Sequence, residues 1–364
     1  MGFRCGIVGL PNVGKSTIFN ALTAAGIESA NYPFCTIEPN VGMVAVPDER
    51  LDKLAAMAKT RNKVNAQMEF VDIAGLVSGA SQGEGLGNQF LGHIRQVDAI
   101  AHVVRCFADD NIVHVSGKID PLQDREIINT ELILADLETV RRRQQKTASQ
   151  AKSGDKLFRE QLTVLLAMEK HLDQGLPART LELDDNGRAL LREMFLLSAK
   201  PVLYVANVPE EQINTGNPWV EELTRAAAAE QASVVMISGA IEEELSGLEP
   251  EERQAFLADM ELSEPGLNRL IRTGYQLLGL ITFFTVGEKE TRAWTIPGGT
   301  KAPQAAGVIH SDFERGFIRA EVVSCDDLLA CGSEPKAKEK GLLRLEGKEY
   351  VVRDGDCINF RFNV

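Results

Sequence analysis

Gly9-Leu10-Pro11-Asn12-Val13-Gly14-Lys15-Ser16 is the stretch on which the fold turns. Its G-x-x-x-x-G-K-[ST] spacing predicts a phosphate-binding loop, because the glycines let backbone N–H groups close around phosphate oxygens. The flanks agree: FRCGIV over 3–8 reads as a strand, and STIFNALTAAG from Ser16 has helical spacing up to Gly26. In a strand–loop–helix unit the helix N-terminus faces the anion, Lys15 reaches the β and γ phosphates, and the Ser16 hydroxyl ligates Mg²⁺. Asn12, Val13, Gly14, Lys15, Ser16 and Thr17 are therefore the expected phosphate contacts, with Lys15 also catalytic. A plain glycine turn is the alternative, and the strand and helix on either side speak against it.

Working outward, MEFVDIAGL (68–76), AIAHVVRCF (99–107), PVLYVANV (201–208) and ASVVMIS (232–238) are apolar runs of the kind that parallel strands bury on both faces. Such strands need helical crossovers, so 1–125 and 199–277 are expected to build one doubly wound α/β nucleotide domain. Residues 126–198 carry no strand-like run and read as an inserted helical hairpin, with Ile127, Leu132, Leu134, Leu137 and Val140 as its packing seam. From 278 to 364 short strands and turns predict a β-rich third domain.

The length of 364 residues suits two or three domains, and 44% hydrophobic with 25% charged residues excludes wholesale disorder and fibrous repeats. No apolar run approaches a membrane span and the N-terminus has no signal pattern, so a membrane or secreted protein is not expected. Six cysteines without a C-x-x-C pair fit free thiols, and a cytoplasmic location is expected. The net charge of -13 excludes a surface that binds nucleic acid everywhere. Residues 141–159 nevertheless carry seven basic side chains against Asp155 alone, a local +6 (7 minus 1) that points to a polyanionic partner or to a solvated helix face.

Two further segments complete the nucleotide machinery. Asp72-Ile73-Ala74-Gly75 places Asp72 to hold the Mg²⁺ shell and the Gly75 amide to sense a γ-phosphate, while Thr36 in NYPFCTIEPN lies where a switch threonine completes the metal site. The glycine-rich GLVSGASQGEGLGNQ that follows reads as a switch ordered by bound triphosphate.

GLPNVGKS, YPFCTIEPN, FVDIAGLV with GAS and GEGLGNQFL, NVPE and the C-terminal IHSDFERGFIRAE together resemble the YchF (EngD) branch of the Obg family, from Met1 to Val364. The resemblance implies a P-loop nucleotide domain, an inserted α-helical coiled-coil domain and a C-terminal TGS domain of β-grasp type. It also implies ATP as preferred nucleotide, with GTP also accepted, and docking on the ribosome, with RNA as a candidate contact of the TGS domain. Arg292, Trp294, Lys301, His310, Arg315 and Arg319 are the basic and aromatic residues there, and packing explains Trp294 equally well.

Two departures from an ordinary GTPase matter. Leu76 stands where Ras-like enzymes carry a water-orienting glutamine, and Asn207-Val208-Pro209-Glu210 replaces the guanine-reading N-K-x-D. Asn207, Val208, Glu210 and Ser238, the last in a loop resembling the family's final base contact, are the expected base-recognition residues. The resemblance favours His114 as the catalytic substitute for the glutamine, with His93 as rival; His102 reads as a packed strand residue and His171 belongs to the helical insert. Asn12 matches the asparagine with which related potassium-dependent GTPases hold K⁺, which makes K⁺ a candidate second cation. The reading is a Mg²⁺-dependent, nucleotide-switched ATPase; its rivals are an Obg-type GTPase and a non-hydrolysing, nucleotide-gated regulator.

Overall fold

The computed structural model describes residues 3–27, 40–74, 86–109, 111–114, 117–152 and 154–363. Thr36, Cys35, Gly75, Leu76 and most of the glycine-rich segment lie outside the described residues. The order begins β1 (Arg4–Val8), α1 (Lys15–Ile27), β2 (Val41–Ala45), α2 (Glu49–Ala58), β3 (Asn62–Val64), β4 (Gln67–Asp72), α3 (Leu86–Arg95) and β5 (Ala99–Arg105). It continues with α4 (Pro121–Ala151), α5 (Lys156–Asp173), α6 (Asp185–Met194), β6 (Val202–Asn207), α7 (Pro218–Ala229), β7 (Ser233–Ile237), α8 (Gly239–Ser246), α9 (Pro250–Asp259) and α10 (Gly266–Leu277).

These strands form a sheet in the order β2-β4-β1-β5-β6-β7. Strands β4, β1, β5, β6 and β7 run parallel. β5 and β6 are buried at every position. The chain leaves β1 toward β4 on one side and β5 on the other, and this reversal opens a crevice at the carboxyl ends of the strands, where ligands of doubly wound sheets bind.

The helical insert starts earlier than the expected boundary at 126. Asp120 accepts from the Gln123 N–H and Pro121 occupies the first turn, so α4 begins at Pro121 and runs 31 residues. Ile128, Leu132, Ile133, Leu137 and Val140 are buried along it, and Ile133, Leu137 and Val140 cluster with Leu165, Met168 and Leu172 of α5. Leu134, expected in that seam, is exposed, because helical phasing turns it one residue past the buried stripe. Asp136, also on α4, accepts from the backbone N–H groups of Leu197 and Ser198 and from the Ser198 hydroxyl, at 2.6–2.8 Å.

Two compact units emerge: residues 3–42 with 69–273, and residues 43–68 with 274–364. The helical insert thus clusters with the nucleotide-binding sheet. Residues 43–68, assigned by sequence to the nucleotide domain, cluster with the C-terminal unit. There β3 pairs parallel with β9 (Glu290–Pro297), beside β8 (Leu280–Thr285). The unit also contains α11 (Ala302–Ile309), α12 (Ser311–Arg315), β10 (Phe317–Ser324), β11 (Arg344–Glu346) and β12 (Asp356–Phe362), in the sheet order β11-β10-β12-β8-β9-β3. Ala302, Ala305 and Ala306 of α11 pack on Phe283, Ile296, Phe317, Ile358 and Phe360 of that sheet, the small residues letting the helix approach closely.

Candidate functional site

The loop after β1 takes the form its sequence predicts. Val13 is buried, Ser16 is exposed on the first turn of α1, Thr17 is half-buried, and the Ile18 N–H donates to the Gly14 carbonyl at 3.1 Å. Gly14 has φ +89°, and a Cβ there would lie 2.2 Å from Asn207 Nδ2, so both backbone conformation and space demand glycine. Asn12 also adopts a left-handed φ of +63°, and its Nδ2 donates to the Val113 carbonyl at 3.1 Å. The asparagine thereby ties the phosphate loop to the segment carrying His114.

Pairing of Ile7 with Asp72 in the β1/β4 ladder sets Asp72 beside the loop, where its Oδ1 lies 3.0 Å from Lys15 Nζ. The Ser16 hydroxyl and the Asp72 carboxylate are hard oxygen donors. That donor chemistry fits Mg²⁺, which P-loop sites complete with phosphate oxygens and water.

The expected base-recognition residues gather at the ends of β6 and β7, but Asn207 faces inward. It is 5% exposed. Its Nδ2 donates to the Val13 carbonyl at 2.9 Å and its Oδ1 accepts from the Gly239 N–H at 3.0 Å. Asn207 therefore clamps the phosphate loop to the start of α8. Val208 is buried, with its N–H on the Ile237 carbonyl at 2.8 Å, whereas Glu210 is exposed at the start of a short 3-10 turn. Ser238 is buried and its Oγ has no hydrogen-bond partner among the described residues.

His114 is 8% exposed, and its Nε2 lies 3.0 Å from Oδ2 of Asp124, a buried residue in the first turn of α4. Burial raises the Asp124 carboxyl's pKa, while the His114 hydrogen bond pulls the other way. The loop before His114 is held by Arg105, wholly buried at the end of β5. Its guanidinium donates to the carbonyls of Phe107, Asp109 and Ile112 at 3.0–3.2 Å and stacks over the Phe107 ring. Sequence reasoning missed both Asp124 and Arg105.

The other histidines take separate places. His93 is exposed on α3. His102 is buried against Tyr204, and burial first, then Arg179 and Arg125, lowers its pKa to about 3. His171 Nε2 contacts Thr180 Oγ1 at 2.8 Å, and His310 Nδ1 accepts from the Asp312 N–H at the start of α12. Cys5, Cys106, Cys325, Cys331 and Cys357 are buried free thiols.

Much of the basic segment 141–159 is paired internally. Arg141 bridges Glu169 and Asp173, Arg142 meets Glu138, Arg143 approaches Glu193 and Lys156 approaches Glu160. In the C-terminal unit Arg292 stacks on Trp294 with its guanidinium carbon 4.1 Å from the ring centroid, and Lys301 and Arg315 meet Glu349 and Asp312.

A family model described as a 50S ribosome-binding GTPase matches residues 4–168, and the YchF-GTPase C-terminal model, described as a protein of unknown function, matches residues 280–363. The chain is 56% identical to the ribosome-binding ATPase YchF of Bacillus subtilis (strain 168), over 100% of both chains. It is 55% identical to the protein of the same name from Escherichia coli O157:H7, again over 100% of both. Among solved structures, the Schizosaccharomyces pombe YchF GTPase superposes with a TM-score of 0.90 at 38% identity, covering 99% of this chain and 98% of that one. A GTP-binding protein from Pyrococcus horikoshii OT3 shares the fold at a TM-score of 0.60 and 19% identity, over 99% and 100% of the two chains.

Proposed function

Because the chain belongs to the YchF family of P-loop nucleoside triphosphatases, we propose that it hydrolyses ATP in preference to GTP and that its nucleotide state controls docking on the ribosome. Ribosome binding and ATP hydrolysis come from the names of the bacterial relatives. The observation that carries the base preference is at the end of β6. Val208 is buried where the guanine signature has a lysine, and Glu210 replaces its short aspartate. Asn207 acts chiefly by holding Val13 and Gly239, and the buried Ser238 hydroxyl, without a hydrogen-bond partner among the described residues, is left for the base.

In this reading the backbone around Gly14 and the N-terminus of α1 take the phosphates, and Lys15 exchanges Asp72 for the β and γ oxygens. Ser16 and Asp72, joined by Thr36, hold Mg²⁺, which when bound neutralises charge on the phosphates. The Gly75 amide reads the γ-phosphate. His114 orients the attacking water in place of the glutamine absent at Leu76, and Asn12 offers its carbonyl oxygen to K⁺. The domain division proposed is nucleotide-binding 1–125 and 199–277, a coiled-coil insert at 126–198 and a TGS domain at 278–364, adjusted so that the insert helix begins at Pro121 and 43–68 joins the C-terminal unit, with the insert and the C-terminal unit contacting ribosomal RNA or protein.

Titration calorimetry of ATP against GTP, with the nucleotide-free protein and again with ribosomes, tests the assignment. Tighter ATP binding is expected. Equal affinities within about twofold, roughly 0.4 kcal/mol, would remove the adenine preference and leave the Obg-type GTPase.

A further inference from the structure

His114 does not stand alone, and its partner comes from the helical insert. Asp124 is 1% exposed, ten residues on, with Oδ2 3.0 Å from His114 Nε2 and Oδ1 without a hydrogen-bond partner among the described residues. A buried carboxylate with one unsatisfied oxygen is costly for a merely structural contact, and such groups cluster where chemistry is done. Burial raises the Asp124 pKa on balance; against it act first the His114 hydrogen bond and, more weakly, the buried Arg105 guanidinium, and the first turn of α4 is a position where the helix dipole favours an anion.

We propose that Asp124 is a positioning residue for hydrolysis, fixing the His114 ring in the tautomer that carries hydrogen on Nε2. A neutral imidazole so held presents Nδ1 as acceptor, which is the form that can take a hydrogen bond from the attacking water. Arg105 holds the segment before His114 through its contacts with the Phe107, Asp109 and Ile112 carbonyls, and Asn12 fastens that segment to the phosphate loop through Val113. The reaction served is the ordinary one. The water oxygen bonds to the γ-phosphorus, the bond to the β–γ bridging oxygen breaks, and the water proton leaves with inorganic phosphate. Because Asp124 belongs to α4, whatever holds the helical arm also sets how firmly the histidine is oriented.

The proposal rests on the His114 reading, so the test separates the two. ATP turnover and nucleotide affinity are measured for the full chain carrying His114→Ala, Asp124→Asn and both together. The expected result is a fall in kcat of at least about tenfold for each single variant, nucleotide Kd within about twofold of the parent, and a double variant no slower than His114→Ala. An Asp124→Asn protein at the parental rate beside a slow His114→Ala overturns this proposal and leaves the histidine in place. His114→Ala at the parental rate removes the histidine reading and this proposal with it. Additive losses, or an Asp124→Asn protein faster than the parent, assign Asp124 a different role and also overturn the proposal. Should Asp124→Asn not fold, ¹⁵N-histidine NMR of the parent decides: an Nε2–H signal for His114 is expected, and an Nδ1–H tautomer rejects the idea.

Discussion

Lys15 Nζ and Asp72 Oδ1 stand 3.0 Å apart, with their side chains 10% and 17% exposed. The residue proposed to grip phosphate and the residue proposed to steady the metal are thus ion-paired with each other. Under that reading, nucleotide binding would exchange one ion pair for another.

Lys15→Ala is expected to weaken ATP binding by at least about tenfold, as loss of a charged hydrogen bond worth roughly 1.5–3 kcal/mol implies, and to bring turnover to background. Titration calorimetry beside a phosphate-release assay checks both. Retention of parental affinity would show that Lys15 does not reach the phosphates.

Asn207→Ala removes a donor from the Val13 carbonyl and an acceptor from the Gly239 N–H, both buried. A destabilisation of about 2 kcal/mol is expected, seen as a lower urea midpoint at unchanged slope, together with weaker binding of ATP and GTP alike. A loss confined to one nucleotide would return Asn207 to direct base reading.

Val208→Lys combined with Glu210→Asp should move selectivity toward GTP. The competition assay between the two nucleotides is the readout, and an unchanged ratio would mean that the base preference is set elsewhere.

Arg142 is exposed and Arg143 half-buried, and their pairs with Glu138 and Glu193 already offset part of their charge. Replacing both by Glu should weaken ribosome association and make the plot of log affinity against log salt shallower by at most about two, with nucleotide affinity intact. An unaltered slope would identify the segment as a solvated helix face.

Glu242 on α8 is buried, accepts from the Gly266 N–H at 2.7 Å, and has its carboxyl pushed up to about 7, chiefly by burial. A folded-state pKa above the unfolded one gives stability that is complete below about pH 4.5 and is lost as pH rises through about 7. Glu242→Gln should therefore raise the melting temperature at pH 8 and lose that advantage near pH 5. Equal gains at both pH values would exclude a titration of Glu242.

The nucleotide unit is legible in the sequence because β5 and β6 are short apolar runs buried at every position and β1 nearly so, and because Gly14 and Lys15 sit at a spacing that phosphate chemistry dictates. Other features were hidden for physical reasons. Asp124 lies two residues before the helical insert expected at 126, and only the fold puts it in the first turn of α4 with the His114 ring against it. Arg105 sits in an apolar run where a charge suggests an exposed edge, yet three loop carbonyls satisfy it in the interior. Asn207 was read as facing the base because its motif names a ligand, whereas its two amide ends hold backbone on either side. The kinship of 43–68 with the C-terminal unit comes from the three-residue β3, too short to carry a pattern, and from single contacts such as Arg50 to Asp354 and Thr60 to Thr291, which leave no periodic signal.

Helix α4 has 31 residues, which at about 1.5 Å each makes a rod some 46 Å long. Its near end holds Asp124 against His114 and its middle is pinned by Asp136 to Leu197 and Ser198. A tilt of about 5° about that pinned middle, about 23 Å from either end, would displace each end by about 2 Å in opposite directions. The insert would then work as a see-saw: a push at its far tip would reach Asp124 at nearly the same size and in the opposite sense.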